Sequence, residues 1–160
     1  MEHLAETGVV HRDLAARNVL LFGFDKEDVR KTSVKVTDYG LAAELDRRTH
    51  ATVAAGQSRP VRYMPPESLQ RGRYSEKSDV WSFGVTCWEI LTSGKIPYYQ
   101  MTEDERVIVY VCGGGRLKGE EIEGGCEEGL WGEVESCWRT REGDRPRFSE
   151  LVVALGRIRE

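Results

Sequence analysis

Within residues 78–92, Val80, Trp81, Phe83, Val85, Cys87, Trp88, Ile90 and Leu91 fall on nearly every face of a helix, and Gly94 follows where that helix can stop. A helix that is apolar all round is stable only when other elements surround it. The rest of the chain must supply that cover, and its apolar spacing shows from where. Thr102 and Glu105 have capping-box spacing ahead of a stripe of Val107, Ile108 and Val111, which ends in Gly113, Gly114 and Gly115. Leu130, Trp131, Val134, Cys137 and Trp138 repeat at helical spacing, as do Phe148, Leu151, Val152 and Leu155. The second half therefore reads as a helical bundle.

The first half reads differently. Met1, Leu4 and Ala5 share one helical face before Gly8, as in the last turns of a helix. Apolar runs at 19–22 and 34–36 suit two short strands joined by the polar stretch 23–33. Residues 41–62 show no period and are punctuated by Gly56, Ser58 and Pro60, so a long loop is expected, mobile over 41–59. The expected fold class is mostly α with a short β hairpin (α+β). There is no internal repeat and no linker to split the chain.

Composition narrows the function classes. With 160 residues and 39% apolar content, one domain with a core of its own is expected. The net charge is −4 and no run of Lys and Arg exceeds two residues, which leaves no basic face for nucleic acid. No apolar stretch has the length of a membrane span, and residues 1–8 have neither the basic flank nor the apolar segment of a signal peptide. A cytoplasmic setting is expected. Cys87, Cys112, Cys126 and Cys137 form no CxxC pair and no metal-ligand spacing with the histidines, which suits reduced thiols.

Between the first helix and the first strand run His11, Arg12, Asp13, Leu14, Ala15, Ala16, Arg17 and Asn18, with a carboxylate and a carboxamide five residues apart. Asp38-Tyr39-Gly40 follows the second strand, Pro65-Pro66-Glu67 lies further on, and Asp79 opens the buried helix. Asp144-Arg145-Pro146 comes near the end. In this order the segments resemble the catalytic loop, DFG, APE and later motifs of protein kinases, over residues 1–155. HRDLAARN is most similar to tyrosine kinases, with Arg17 and Ala15 in that class's places, and Pro60, Val61, Arg62 and Tyr63, running on to Met64, resemble its substrate platform.

The resemblance implies that Asp13 is the catalytic base, with Arg17 and Asn18 beside it in the catalytic loop. Asn18 and Asp38 would hold Mg2+ and bind ATP, and a protein tyrosine would be the acceptor. It further implies structural roles for His11 and Arg12, a Glu67–Arg145 pair, and hydrogen bonds from Asp79 to catalytic-loop backbone. Residues 38–67 would form the activation segment.

Several residues depart from the family pattern. Tyr39 replaces the usual phenylalanine, Ala43 an arginine, and Ala51 stands at the position of the activation-loop tyrosine, with Thr49 and Thr52 flanking it. Tyr63 replaces tryptophan, which leaves a serine/threonine or dual-specificity kinase as an alternative. Residues 24–30 lengthen the hairpin loop. No GxGxxG and no lysine strand precede the catalytic loop, and neither Lys35 nor residues 113–119 substitute for them. The expectation is a C-terminal kinase lobe over 1–160, partial and inactive alone, whose partners are an N-terminal lobe and a protein substrate. A non-catalytic interaction module is the remaining alternative.

Overall fold

The computed structural model describes residues 1–45, 51–52 and 59–158. Helix α1 (Glu2–Glu6) and strand β1 (Val9–Val10) lead into the loop at 11–18, and β2 (Val19–Gly23) with β3 (Ser33–Val36) form a hairpin. Strands β4 (Ala43–Glu44) and β5 (Ala51–Thr52) precede α2 (Pro66–Arg71), β6 (Arg73–Tyr74), α3 (Glu76–Leu91), α4 (Asp104–Cys112), α5 (Glu128–Ser136) and α6 (Phe148–Ile158). Among the described residues the fold is mostly helical with three two-stranded antiparallel ladders.

Helix α3 is the centre of the molecule. Its start is fixed by Ser75, whose Oγ accepts from Lys77 N at 3.1 Å while Ser75 N donates to Ser78 Oγ at 3.0 Å. Val80, Trp81, Val85 and Trp88 are fully enclosed, by Val107 and Val111 of α4, Val134 of α5, Cys137 and Trp138 beyond it, and Phe148 and Leu151 of α6. Phe83 meets Phe148 edge-on with ring centres 5.9 Å apart, and Trp131 meets Trp138 likewise at 5.8 Å. The helix ends as Gly94, at φ +91°, turns its N–H back to Glu89 O at 2.7 Å.

One glycine of α3 is set by contact. A Cβ on Gly84 would lie 2.8 Å from Cys137 Cβ and 2.7 Å from Trp138 Nε1, so the absence of a side chain lets the 137–138 segment lie against the helix.

The β2–β3 hairpin pairs Val19 with Val36, Leu20 with Lys35 and Leu21 with Val34, then shifts register before Gly23 meets Ser33. Leu20, Leu21, Phe22 and Val34 are exposed. Two further ladders, β1–β4 and β5–β6, each take one strand, β4 or β5, from the 41–62 stretch that reads as a loop from the sequence. Two-residue strands contain too few positions to show a period. Residues 46–50 and 53–58, most of the segment expected to be mobile and Thr49 with it, lie outside the described residues.

Two helix details differ from the sequence reading. Helix α4 starts one residue later than the Thr102–Glu105 spacing indicates, with Glu103 at its N-cap and no side-chain cap, because Arg62 draws in the carbonyls of 101–102. In α6, Phe148 and Leu151 are buried but Val152 is exposed, so the packed stripe is narrower than the apolar pattern. Among the described residues no helix is long and apolar enough to cross a membrane.

Gly84→Ala is expected to lower unfolding stability by roughly 1–3 kcal/mol through overpacking. Gly132→Ala in α5, where a Cβ meets nothing within 4 Å, should be neutral or stabilising by up to about 1 kcal/mol. Urea denaturation of both variants checks this, and equal effects would contradict it.

Candidate active site

The site is assembled on a polar stripe that runs down α3. Asp79, Ser82, Thr86 and Glu89 follow one another at intervals of three, four and three residues, which places them within an arc of about 80° on a helix of 3.6 residues per turn. Asp79 is buried; its Oδ2 accepts from His11 N at 2.7 Å and its Oδ1 from Arg12 N at 2.9 Å. Ser82 Oγ donates to Tyr63 O at 2.7 Å, and Thr86 Oγ1 donates to Ser82 O at 2.8 Å. Glu89 Oε2 accepts from Ala16 N at 3.0 Å. The stripe thus holds two separate segments, 11–18 and 60–64, against one rigid helix.

Both oxygens of Asp79 serve a strained turn. Arg12 has φ +68°, the left-handed region that costs a side chain such as arginine about 1–2 kcal/mol. Two N–H bonds to a carboxylate hold the backbone there. The Arg12 side chain reaches Leu41 O through Nε and lies over the Tyr74 ring, 5.4 Å from its centre. His11 is fully buried; Nε2 is 3.0 Å from Thr37 O, and Nδ1 accepts from Asp13 N at 3.3 Å. Both contacts fit the tautomer with its proton on Nε2. Tyr39 lies beside the imidazole, 5.2 Å between ring centres, and its hydroxyl donates to Val36 O at 3.4 Å.

Asp13 and Asn18 form a bonded pair. Asn18 Nδ2 donates to Asp13 O at 2.7 Å and to Asp13 Oδ2 at 3.2 Å, while Arg17 pairs with Asp13 Oδ1. Thr37 N donates to Asn18 O at 2.9 Å, which brings the chain leading to Asp38 alongside. Asp38 is exposed at φ +63°, with Oδ1 accepting from Gly40 N at 3.2 Å. Among the described residues no three His, Cys, Asp or Glu side chains are grouped to hold a metal ion. With the Asn18 amide nitrogen committed to Asp13, its oxygen and the Asp38 carboxylate are hard donors. They suit Mg2+, which takes one or two protein ligands and completes its shell with water and phosphate.

The 60–64 segment is a turn at Val61–Tyr63 in which Val61, Tyr63 and Met64 are buried. Pro60 precedes it, half-buried. Tyr63 lies under the Arg17 guanidinium, 5.3 Å from ring centre to Cζ. Burial first, then the Glu89 charge, push the Tyr63 phenol well above its usual range, so it remains a neutral donor. Arg62 points into the bundle: Nη1 donates to Pro97 O at 2.9 Å and Tyr98 O at 3.1 Å, Nη2 to Met101 O at 2.8 Å, and Nε lies 3.4 Å from Asp104.

Behind this segment Glu67 receives both Nη atoms of the buried Arg145, at 2.6 and 2.9 Å. Arg145 also stacks on Trp81, 4.9 Å from the ring centre, and Arg116 lies 4.6 Å from the same centre. The four cysteines are free thiols, and burial raises Cys137 to about 12, which leaves it protonated. Glu89, Ser82 and the inward turn of Arg62 are absent from the sequence reading. The polar spacing within an otherwise apolar helix is the signal for the first two.

Residues 1–155 match the family model described as "Protein tyrosine and serine/threonine kinase". The chain belongs to that family of protein kinases. Within it, the resemblance is to the tyrosine kinase type. Protein sevenless of Drosophila melanogaster is 40% identical over 156 residues, covering 98% of this chain and 6% of that protein. Fibroblast growth factor receptor homolog 1 of the same organism is 35% identical over 158 residues, covering 99% and 20%. The chain thus spans one fifth or less of the length of these relatives.

Burial pushes the Asp79 carboxyl up to about 7 while its two N–H bonds pull it down. Between the ordinary carboxylate value near about 4 and that raised value, the native state binds a proton that the unfolded chain has released. The stability this group contributes is therefore full below about pH 4 and declines as the pH rises through about 7. Urea unfolding from about pH 5 to about pH 8 should show a decline of up to about 1.4 kcal/mol per pH unit that Asp79→Asn lacks. Parallel pH curves would contradict this. Glu67→Gln, which leaves the Arg145 charge buried without its partner, should cost roughly 3–5 kcal/mol in the same assay.

Proposed function

We propose that this chain is the C-terminal lobe of a protein tyrosine kinase, with residues 38–67 as its activation segment and Asp13 as the catalytic base. The observation that carries the reading is the bonded Asp13–Asn18 pair, set on a loop whose backbone is tied to buried Asp79. Asp13 accepts the proton of an acceptor phenol as the phenol oxygen bonds to the γ-phosphorus of ATP and the bridging P–O bond breaks, releasing ADP. Arg17 holds the Asp13 carboxylate, and Asn18 fixes its orientation from the other side. The Asn18 and Asp38 oxygens would hold Mg2+, which supplies positive charge against the phosphates when bound. Pro60, Val61 and Tyr63 form the platform beneath the acceptor. Arg62, whose donors are taken by the 97–101 carbonyls, fixes the platform from below.

Transfer depends on positioning, and this sequence has no glycine-rich loop and no lysine strand to cradle ATP. The lobe therefore acts with an N-terminal lobe and is inactive alone. Tyr63 at the place of the family's tryptophan favours, as a second reading, transfer to serine or threonine.

The purified chain with ATP, Mg2+ and a tyrosine peptide should transfer little phosphate. Joined behind a glycine-rich nucleotide-binding lobe, it should phosphorylate the tyrosine peptide in preference to a serine peptide. Asp13→Asn should lower that rate by about 10²- to 10⁴-fold. Equal rates in wild type and Asp13→Asn would overturn the assignment, and preference for serine would select the second reading.

A further inference from the structure

A groove of about 590 Å³ runs beside α5, and none of the residues lining it enters the catalytic assignment. Trp131, Leu117 and Cys126 give it an apolar lining, and Glu120, Glu128 and Glu135 give it charge. Among the described residues these three carboxylates make no hydrogen bond and no ion pair, and Lys118, which also lines the groove, pairs with none of them. The surrounding stretch 119–138 carries seven glutamates and no Lys or Arg, so the rest of the chain is net positive. Glu128, Trp131 and Glu135 follow one another at three and four residues, within an arc of about 60° on α5, so two carboxylates bracket one indole.

That indole is fixed before anything binds. Its ring meets Trp138 edge-on at 5.8 Å, and a Cβ on Gly119 would lie 2.9 Å from its Cε2, so the backbone at 119 lies close against it. The same wall is tied to the central helix, where Trp88 Nε1 donates to Lys118 O at 3.0 Å. Unpaired carboxylates beside a held aromatic ring call for a cation, and the geometry narrows which one. Among the described residues no three acids are grouped to hold a metal ion, so the charge is spread along the groove rather than gathered at a point. A planar guanidinium suits this: it lies flat on an indole and meets a carboxylate through two N–H groups, whereas an ammonium is a compact point charge. Seven residues of helix separate Glu128 from Glu135 by about 10.5 Å of rise. Two residues three apart in a polyproline II segment lie on one side of it, about 9.3 Å apart.

We propose that this groove docks an arginine-bearing segment of a partner protein, with one guanidinium stacked on Trp131 and paired with Glu128 or Glu135, and a second arginine three residues away on the other carboxylate. Because the indole and the wall at 118–119 are already ordered, the segment bears most of the ordering cost on binding. The negative rim turns away phosphate backbones and anionic lipid surfaces. No residue of the groove belongs to the Asp13 site, so docking and phosphate transfer are tested separately.

The probe is a labelled peptide, Gly-Arg-Pro-Pro-Arg-Gly-amide, titrated with the 160-residue chain at low salt and read by fluorescence anisotropy, with the Trp131 indole N–H followed by NMR. Binding should saturate and move that resonance, and the lysine version of the peptide should bind about 2- to 5-fold more weakly. Glu128→Gln and Glu135→Gln together should weaken binding by about 10-fold, the worth of two exposed ion pairs. Glu103→Gln and Glu105→Gln on α4 remove the same charge elsewhere and should change it by less than about 2-fold. Trp131→Leu should cost about 2- to 5-fold; if that variant does not fold, the exposed glutamate pairs and the indole signal still decide. Absence of saturable binding would overturn the proposal. Equal weakening by the two glutamate pairs would do so as well, since it marks general charge attraction. Binding of single arginine amide as tight as that of the peptide would make the groove a small-cation site and sink the docked segment.

Discussion

Everything at the candidate site hangs on the carboxylate of Asp79. It sits in the first turn of α3, inside the molecule, and takes the two successive amides of His11 and Arg12. Burying a carboxyl is costly unless its oxygens are occupied, and holding Arg12 in the left-handed region is costly unless something fixes it. Each cost is offset by the same pair of hydrogen bonds. The loop leaves this anchor in one direction only, which places His11 under Thr37 and Asp13 beside Asn18. Further down the helix Ser82 and Glu89 repeat the device for the 60–64 segment and for Ala16. The central helix is thus both the hydrophobic core and the ruler against which the chemistry-bearing segments are measured.

A second constraint closes the other side of that platform. The Glu67–Arg145 pair links the start of α2 to the segment before α6, and Arg145 stacks on Trp81 of α3. A buried ion pair of this kind adds little net stability compared with an apolar replacement, but it has one geometry, and breaking it strands a charge. Arg62 adds a third tie by collecting the carbonyls of the 97–101 turn. Between them, the 60–67 stretch is fixed to α3, to the 97–101 turn before α4 and to the segment before α6, although it contains little regular structure of its own.

The elements that could be read from the sequence are those with long apolar periods. The central helix was evident because a residue such as Trp81 or Trp88 appears on each face, and α5 and the β2–β3 hairpin follow from their spacing. What escaped has a common physical origin. Strands β4 and β5 are two residues each and owe their existence to partners elsewhere in the chain. The start of α4 is set by Arg62, forty residues upstream, rather than by the local Thr102–Glu105 spacing. Gly84 looks like a weak point in a helix until Trp138 is packed against it. At the site, the chemistry-bearing residues were legible because they cluster in short motifs, whereas Glu89 meets the Ala16 amide, 73 residues away in sequence, only because the fold brings the two together.

If Asp79 makes the catalytic loop part of the core, the amides of His11 and Arg12 should exchange with solvent only when α3 itself unfolds. Native-state hydrogen exchange of the 160-residue chain measures this directly. The account predicts that His11 and Arg12 share the opening free energy of Val80 and Val85 in α3 and fall with them as denaturant is added. Exchange of His11 and Arg12 through a local opening, fast and insensitive to denaturant while α3 stays protected, would contradict it.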